Sequence, residues 1–153
     1  MNTETQQHRA SCFCGKVSFI LDGSPELMAY CHCDSCRQWS AGPINEFTLW
    51  KPNALTFTQG EDLIDSYDKN ADIHGGEVQS ERSWCKCCGG HVFTKHPGMG
   101  LIDVPAVLIK ALDFEPAFHV HYQESILPIT DGLPKFKDLP EPAGGSGEQL
   151  GES

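Results

Sequence analysis

The residues of this sequence with the most specific chemistry are its eight cysteines, which all fall into three short segments. Cysteines grouped this closely are typical of metal-binding sites, because tight turns can bring their sulfur atoms onto one ion. The apolar core of a soluble domain would instead spread its cysteines along the chain. The segments are Cys12-Phe13-Cys14-Gly15, Cys31-His32-Cys33-Asp34-Ser35-Cys36-Arg37 and Trp84-Cys85-Lys86-Cys87-Cys88-Gly89-Gly90.

The first and third segments together predict a closed zinc site. Cys85 and Cys88 form a Cys-x-x-Cys pair, and the following Gly89 can take the positive φ angle that folds the chain back. A similar tight pair of cysteines precedes Gly15. Structural zinc is usually held by four thiolates or imidazoles in a tetrahedron. We therefore predict a structural zinc that joins two distant parts of the chain through Cys12, Cys14, Cys85 and Cys88.

The middle segment supplies three sulfur atoms within six residues, from Cys31, Cys33 and Cys36. Three protein ligands leave the fourth position of a zinc ion open, which is the general mark of a catalytic site. The alternative is a second closed site with Cys87 as its fourth ligand. Cys87 is otherwise a spare thiol or a redox-active one. The sequence thus predicts two zinc ions per chain, the second of them catalytic.

Three thiolates around zinc favour a particular chemistry. The complex carries a net charge of −1, so it is a weaker Lewis acid than zinc held by neutral imidazoles. It therefore suits the activation of water poorly. A thiol that enters the open position would lose its proton on coordination and remain electron-rich. The predicted reaction is thiol activation followed by attack on an electrophilic carbon.

Polar residues around the middle segment are candidates for supporting roles. Arg37 could bind a substrate carboxylate through two parallel hydrogen bonds. His32 could relay a proton near neutral pH, although a residue between two ligands more often faces away from the site. Asp34 and Ser35 could form hydrogen bonds to the sulfur atoms or to their backbone.

The surrounding elements are predicted to be short strands. Apolar and polar residues alternate early in the chain, and turn residues recur about every ten residues, which indicates a mainly β domain of antiparallel strands. His119 and His121 would share one face of a strand, but a metal site there is disfavoured because the cysteines already account for both ions. One short helix is expected at 34–40, and strands at 17–21, 27–31, 44–50, 55–58, 63–67, 81–84, 90–95 and 117–123.

Composition limits the partners that the protein can have. Eleven Lys and Arg stand against 21 Asp and Glu, which gives a net charge of −10. This balance argues against nucleic acid and against anionic membrane surfaces, since both bind clustered basic residues. No apolar run is long enough to span a bilayer, and the first residues are polar. We expect a cytoplasmic protein.

The end of the chain differs from the rest in composition. Residues 138–153 are rich in proline and glycine and contain only two leucines to bury. Such a segment is typical of disorder. We therefore predict one zinc-binding domain over 1–137, followed by a disordered tail over 138–153.

The three cysteine segments resemble those of the glutathione-dependent formaldehyde-activating enzymes, or S-(hydroxymethyl)glutathione synthases, and their relative centromere protein V. The resemblance covers about residues 9–137. It also includes two later motifs, Leu112-Asp113 and Asp131-Gly132-Leu133-Pro134. Seven cysteines in the same order make this match specific.

The resemblance implies a β-tent fold that binds two zinc ions. It implies the same structural ligands and the same three catalytic ligands as the spacing does, with the sulfur of glutathione bound at the second ion. The implied enzyme is a carbon–sulfur lyase that reversibly adds the glutathione thiol to formaldehyde or a related small aldehyde. A homodimer is also compatible with this resemblance. The alternative is a non-catalytic zinc module that binds a protein partner.

Overall fold

The computed structural model describes residues 6–70 and 79–151. Ten β-strands and one α-helix lie wholly within that part of the chain, so the prediction of a mainly β protein is confirmed. None of the described helices is long and apolar enough to cross a membrane. The strands are β1 (Gln7–Ser11), β2 (Ser18–Asp22), β3 (Leu27–Cys31), β4 (Asn45–Trp50), β5 (Leu55–Gln59), β6 (Ile64–Tyr67), β7 (Glu81–Cys85), β8 (His91–His96), β9 (Leu101–Pro105) and β10 (His119–Val120), and the helix is α1 (Asp34–Ser40).

The chain divides into two compact units, and each is built from two stretches of sequence. The first unit comprises Met1–Glu26 and Thr48–Asp113, and the second comprises Leu27–Phe47 and Phe114–Ser153. Strand β4 begins in the second unit and ends in the first. The predicted single domain over 1–137 therefore spans all of the first unit and part of the second, and its lower and upper bounds stay a prediction.

The first unit is formed by antiparallel strands. Strands β1, β2 and β5 make one sheet in that order, and β9, β8, β7 and β6 follow the end of β4 in another. Buried and partly buried residues alternate along β2 and β9, which explains why these short segments adopt an extended conformation with one face in the core.

Aromatic side chains dominate the core of the first unit. Phe19, Phe57 and Phe93 meet edge to face, with ring centroids about 6 Å apart in each pair. Trp50 is completely buried, and its Nε1–H donates to the Thr48 hydroxyl at 2.7 Å. Two of the predicted metal ligands, which are described below, belong to this same core.

The second unit is organised around a parallel pair of strands. In β10, His119 lies beside Tyr30 of β3, and Val120 lies beside Cys31. The end of β3 leads through two residues into helix α1, whose bounds agree with the predicted 34–40. Strand β10 is much shorter than the predicted 117–123, because His121 takes a left-handed backbone conformation with a φ of 52°.

The segment predicted as a disordered tail is described in the structure up to residue 151. The Lys137 N–H donates to the Glu148 carbonyl at 2.8 Å, and the Leu150 N–H donates to the Lys135 carbonyl at 2.7 Å. The Asp138 carboxylate accepts from the backbone and hydroxyl of Ser146. Backbone pairing and side-chain caps thus take the place of apolar burial, which a composition argument does not register. Residues 152–153 lie outside the described part of the chain.

Two strands were missed by the sequence analysis, β1 and β9. In β1 the buried positions are His8 and Ala10, so the apolar alternation is weak. Strand β9 ends at Pro105, and glycines precede it, so its residues had the signature of a turn.

Candidate metal centres

The four cysteines predicted to form the closed site come together in the first unit. Their sulfur atoms all lie within 4.8 Å of one another. The Cys14 sulfur is 3.6 Å from that of Cys12 and 3.9 Å from that of Cys85. A tetrahedral zinc with Zn–S bonds of about 2.3 Å requires sulfur atoms about 3.8 Å apart. The set, which Cys88 completes, therefore fits the coordination shell of a zinc ion and could hold a metal.

Two tight turns bring these cysteines into position. The Gly15 N–H donates to the Cys12 carbonyl at 3.1 Å, and the Gly89 N–H donates to the Cys85 carbonyl at 2.7 Å. Both glycines have positive φ angles, 80° and 74°, as the sequence predicted. The backbone hydrogen bonds of the two turns thus bring the sulfur atoms of each pair together without a metal.

Backbone N–H groups also point at the sulfur atoms. The Val17 N–H donates to the Cys12 sulfur at 3.4 Å, and the Gly90 N–H donates to the Cys88 sulfur at 3.3 Å. The hydrogen bond from Gly90 lowers the pKa of the Cys88 thiol to about 6. Such donors stabilise the thiolate form, which is the form that binds metal.

The three cysteines of the middle segment form the second group, within the second unit. The sulfur atoms of Cys31, Cys33 and Cys36 lie within 4.8 Å of one another, and this group could also hold a metal. Cys31 ends a strand and is buried, whereas the other two are partly exposed. A ligand could therefore approach the group from the side of α1.

Helix α1 fixes the spacing of the last two ligands. Cys33 is its N-cap residue, and its sulfur accepts the backbone N–H of Cys36 at 3.3 Å. Contacts with the neighbouring thiols lower the pKa of Cys33 and raise that of Cys31 well above its ordinary value. The thiolate form is therefore favoured at Cys33, which caps the start of α1, even without the positive charge of a metal.

Arg37, the predicted carboxylate-binding residue, lies at the edge of this group and contacts its backbone. Its Nε–H donates to the carbonyl oxygen of His32 at 2.9 Å. Its terminal nitrogen is 3.5 Å from the Asp34 carboxylate. The backbone N–H of Asp34 donates to Glu124 at 3.1 Å, and Ser35 is exposed. Arg37 thus helps to hold the loop that carries the three cysteines.

His32, between two of the sulfur ligands, does not face outward. Its side chain is completely buried, and its Nε2 lies 2.8 Å from Nδ1 of His119. The Nε2 of His119 lies in turn 2.7 Å from the Asp131 carboxylate. Burial lowers the pKa of His32 to about 4, so the imidazole is neutral at physiological pH.

The other carboxylate oxygen of Asp131 is bound by Lys135, whose Nζ lies 2.9 Å away and whose side chain is 1% exposed. Desolvation alone would raise the pKa of Asp131, but the hydrogen bonds from His119 and Lys135 lower it to well below its ordinary value. The carboxylate is therefore charged, and besides His119 and Lys135 it accepts the Leu133 N–H at 3.0 Å.

The sequence analysis missed this role of His119 and Asp131. It considered His119 as half of a metal-binding pair with His121, but the strand ends between them, at Val120. Asp131 belonged to one of the later motifs of the family resemblance, to which no function was attached. The signal that could have identified their contact was a histidine on an apolar strand, His119, followed twelve residues later by an acidic turn residue, Asp131.

Cys87 belongs to neither group of sulfur atoms. Its side chain is exposed, and the Lys16 ammonium donates to its sulfur at 3.2 Å. This geometry agrees with a thiol outside the metal shells.

With the two groups described, comparison with known proteins gives their family. The sequence matches the glutathione-dependent formaldehyde-activating enzyme family over residues 7–124. The match covers most of the chain and includes all eight cysteines. The chain therefore belongs to this family, as its cysteine segments predicted.

Other comparisons are more distant. A crystal structure of a Rhodobacter sphaeroides protein is similar to the chain at 18% sequence identity, with a TM-score of 0.49, and the match covers 69% of this chain and 90% of that one. No curated protein matches the sequence.

Proposed function

We propose that this protein is a zinc-dependent carbon–sulfur lyase that reversibly adds the thiol of glutathione to formaldehyde or a related small aldehyde. The observation that carries the proposal is the group of three sulfur atoms on Cys31, Cys33 and Cys36 in a member of this family. A tetrahedral ion held there keeps one position for a ligand from outside. When bound, zinc supplies a site at which a thiol gives up its proton and stays nucleophilic.

The four-cysteine group has a different proposed role. Cys12, Cys14, Cys85 and Cys88 supply all four ligands that a structural zinc needs. No position remains for a substrate. We assign this group to stability, and the three-cysteine group to catalysis.

The reaction needs neither an oxidant nor a reductant. The glutathione sulfur forms a bond to the carbonyl carbon, the carbon–oxygen double bond becomes single, and the thiol proton ends on the oxygen. The product is S-hydroxymethylglutathione. The chain contributes by binding and orienting the thiol, and proximity alone can supply much of the rate enhancement.

Arg37 has the position and donors to hold the peptide part of glutathione. Its Nε–H is committed to the His32 carbonyl, which fixes the base of the side chain. The two terminal nitrogens can still donate to a carboxylate. Its contact with the exposed Asp34 carboxylate, at 3.5 Å, is weak enough for a substrate carboxylate to replace.

The test measures the formation of S-hydroxymethylglutathione from glutathione and ¹³C-formaldehyde. NMR exchange spectroscopy gives its rate with the protein and without it. The zinc-loaded protein should accelerate the exchange, Cys33→Ser should lose the acceleration, and the matched variant Cys87→Ser should retain it. Acceleration by Cys33→Ser equal to that of the unaltered protein would contradict the proposal. No acceleration by any form, with no glutathione bound, would favour the non-catalytic zinc module.

A further inference from the structure

A line of hydrogen-bonded polar side chains, of which His32, His119 and Lys135 are buried, ends at the three-cysteine segment. It runs from Lys135 to Asp131, then to His119 and finally to His32, and each step is a contact of 2.7 to 2.9 Å. Both imidazoles are completely buried. A buried polar group is costly without a hydrogen-bond partner. Each donor in this line is therefore expected to face an acceptor.

The hydrogen-bond partners determine where the protons lie. Asp131 is a charged acceptor, so the nitrogen of His119 that faces it, Nε2, must carry a proton. If His119 were also protonated at Nδ1, it would place a second cation beside the buried Lys135, with one carboxylate for both. The contacts therefore fit the tautomer of His119 that carries its proton on Nε2, and its Nδ1 accepts.

This assignment fixes the adjacent imidazole as well. Since Nδ1 of His119 accepts, Nε2 of His32 must donate, and Nδ1 of His32 carries no proton. That Nδ1 atom is buried and has no hydrogen-bond partner. An unpaired acceptor is tolerated more easily than an unpaired buried N–H, which agrees with the assignment.

Further contacts restrict the position of the two rings. Tyr30 stacks on His119 at 4.7 Å between centroids, and Tyr122 meets the edge of His32 at 4.9 Å. The backbone of His32 is held too, because its N–H donates to the Val120 carbonyl at 3.1 Å and its carbonyl accepts from Arg37. His32, which lies between Cys31 and Cys33 in the sequence, is thus held by its N–H, by its carbonyl and by its side chain.

We propose that His119 and Asp131 are positioning residues of the three-cysteine site. They hold the His32 imidazole in one tautomer, protonated at Nε2, and so keep the segment that carries Cys31 and Cys33 in its metal-binding conformation. This inference rests on the proposed binding of metal by these cysteines. Neither residue contacts the substrate; both act through His32.

The tautomer can be tested directly with Asp131→Asn. The asparagine oxygen would accept from Lys135, and its amide would then donate to Nε2 of His119. The proton of His119 would move to Nδ1, which would donate to Nε2 of His32, and the His32 proton would move to its own Nδ1. In ¹⁵N NMR spectra of the zinc-loaded protein, the protonated and unprotonated nitrogens of His32 should exchange identity. Unchanged nitrogens in Asp131→Asn would overturn the inference.

The effect on the metal site is tested with cobalt, whose thiolate charge-transfer absorption reports coordination at each group. His119→Leu removes both hydrogen bonds, whereas His119→Gln keeps one donor and one acceptor. We expect His119→Leu to lower the affinity of the three-cysteine group for cobalt about 10- to 100-fold, as the loss of a group that supports metal ligands generally does. His119→Gln should restore part of that affinity. The four-cysteine group serves as the control within the same molecule and should be unaffected.

The outcomes separate this inference from the proposed function. If the unaltered protein binds only one cobalt, the proposed metal site fails, and the inference fails with it. If the unaltered protein binds two and His119→Leu binds the second equally tightly with an unchanged spectrum, the metal site stands and the inference is wrong. Equal weakening at both groups would show general loss of folding, and would also contradict a positioning role.

Discussion

The two cysteine groups use the same ligand atom but are built in different ways. The four-cysteine group joins two turns that are 71 residues apart in sequence, between Cys14 and Cys85. The three-cysteine group comes from one continuous segment, the end of β3 and the start of α1. A ligand set drawn from two distant turns closes on itself, whereas six consecutive residues supply three ligands and leave one side open.

Their surroundings differ in the same sense. Cys12 and Cys85 are part of the apolar core of the first unit. The three-cysteine segment is backed instead by buried polar groups, namely His32, His119 and Lys135. A metal in the first setting is expected to stabilise the fold, and a metal in the second to depend on hydrogen-bonded partners that fix its ligands.

The largest effect should follow the loss of a core ligand, in Cys85→Ser. This side chain is 0% exposed, and structural zinc contributes an apparent binding free energy of about 10–16 kcal/mol in small zinc domains. That is comparable with the whole free energy of unfolding of a domain, about 5–15 kcal/mol. We expect loss of the cooperative thermal transition, measured by circular dichroism. A variant that keeps two zinc ions and melts within a few degrees of the unaltered protein would contradict the structural role.

Cys33→Ser should separate metal loss from loss of the fold. Serine is a preferred N-cap residue, so helix α1 should remain capped. We expect the zinc count in native mass spectrometry to fall from two to one and glutathione binding to disappear. The melting transition should stay cooperative, unlike that of Cys85→Ser. Unfolding of both variants alike would remove the distinction between the two groups.

Arg37→Lys tests the substrate side of the open group. Lysine keeps the charge but loses the planar fork and the hydrogen bond to the His32 carbonyl. A charge-assisted hydrogen bond contributes about 1.5–3 kcal/mol, so the KM for glutathione should rise about tenfold or more, with a smaller change in kcat. The zinc count, measured with excess zinc, is the control and should stay at two, because the side chain and the N–H of His32 keep their partners. A KM equal to that of the unaltered enzyme would exclude Arg37 from binding the carboxylate.

The smallest effect is expected for Cys87→Ser. This thiol is exposed and its described hydrogen-bond contact is with Lys16. Surface substitutions of this kind usually change the free energy of unfolding by less than about 0.5 kcal/mol. Activity, zinc count and unfolding by urea should match those of the unaltered protein. A marked loss of activity would instead support a redox role for this cysteine.

Much of the fold and the grouping of the cysteines was predictable from local sequence. Cysteine spacing and the glycines after Cys14 and Cys88 specify tight turns, and turn geometry is a local property. The helix at 34–40 was predictable for the same reason. The bounds of these elements follow from a few neighbouring residues.

What the sequence could not show depends on contacts between distant segments. His32 and His119 are 87 residues apart, and nothing in the local pattern around either one indicates that their rings meet. Residues 148–150 pair with residues 135–137 through backbone atoms, which every residue type carries. Composition reports on side chains, so it predicted a disordered segment where the structure has backbone hydrogen bonds.

X-ray absorption at the zinc edge, with and without glutathione, tests the difference between the two groups most directly. One closed and one open ion should give about 3.5 sulfur ligands per zinc on average, rising to about 4 when the glutathione sulfur fills the open position. Cys33→Ser, with one zinc left, should give about 4 in both conditions. A count of about 4 in the unaltered protein without glutathione would show that both groups are closed, and a count that stays at about 3.5 would show that no thiol enters the open position. Either result would contradict a thiol-binding site at Cys31, Cys33 and Cys36.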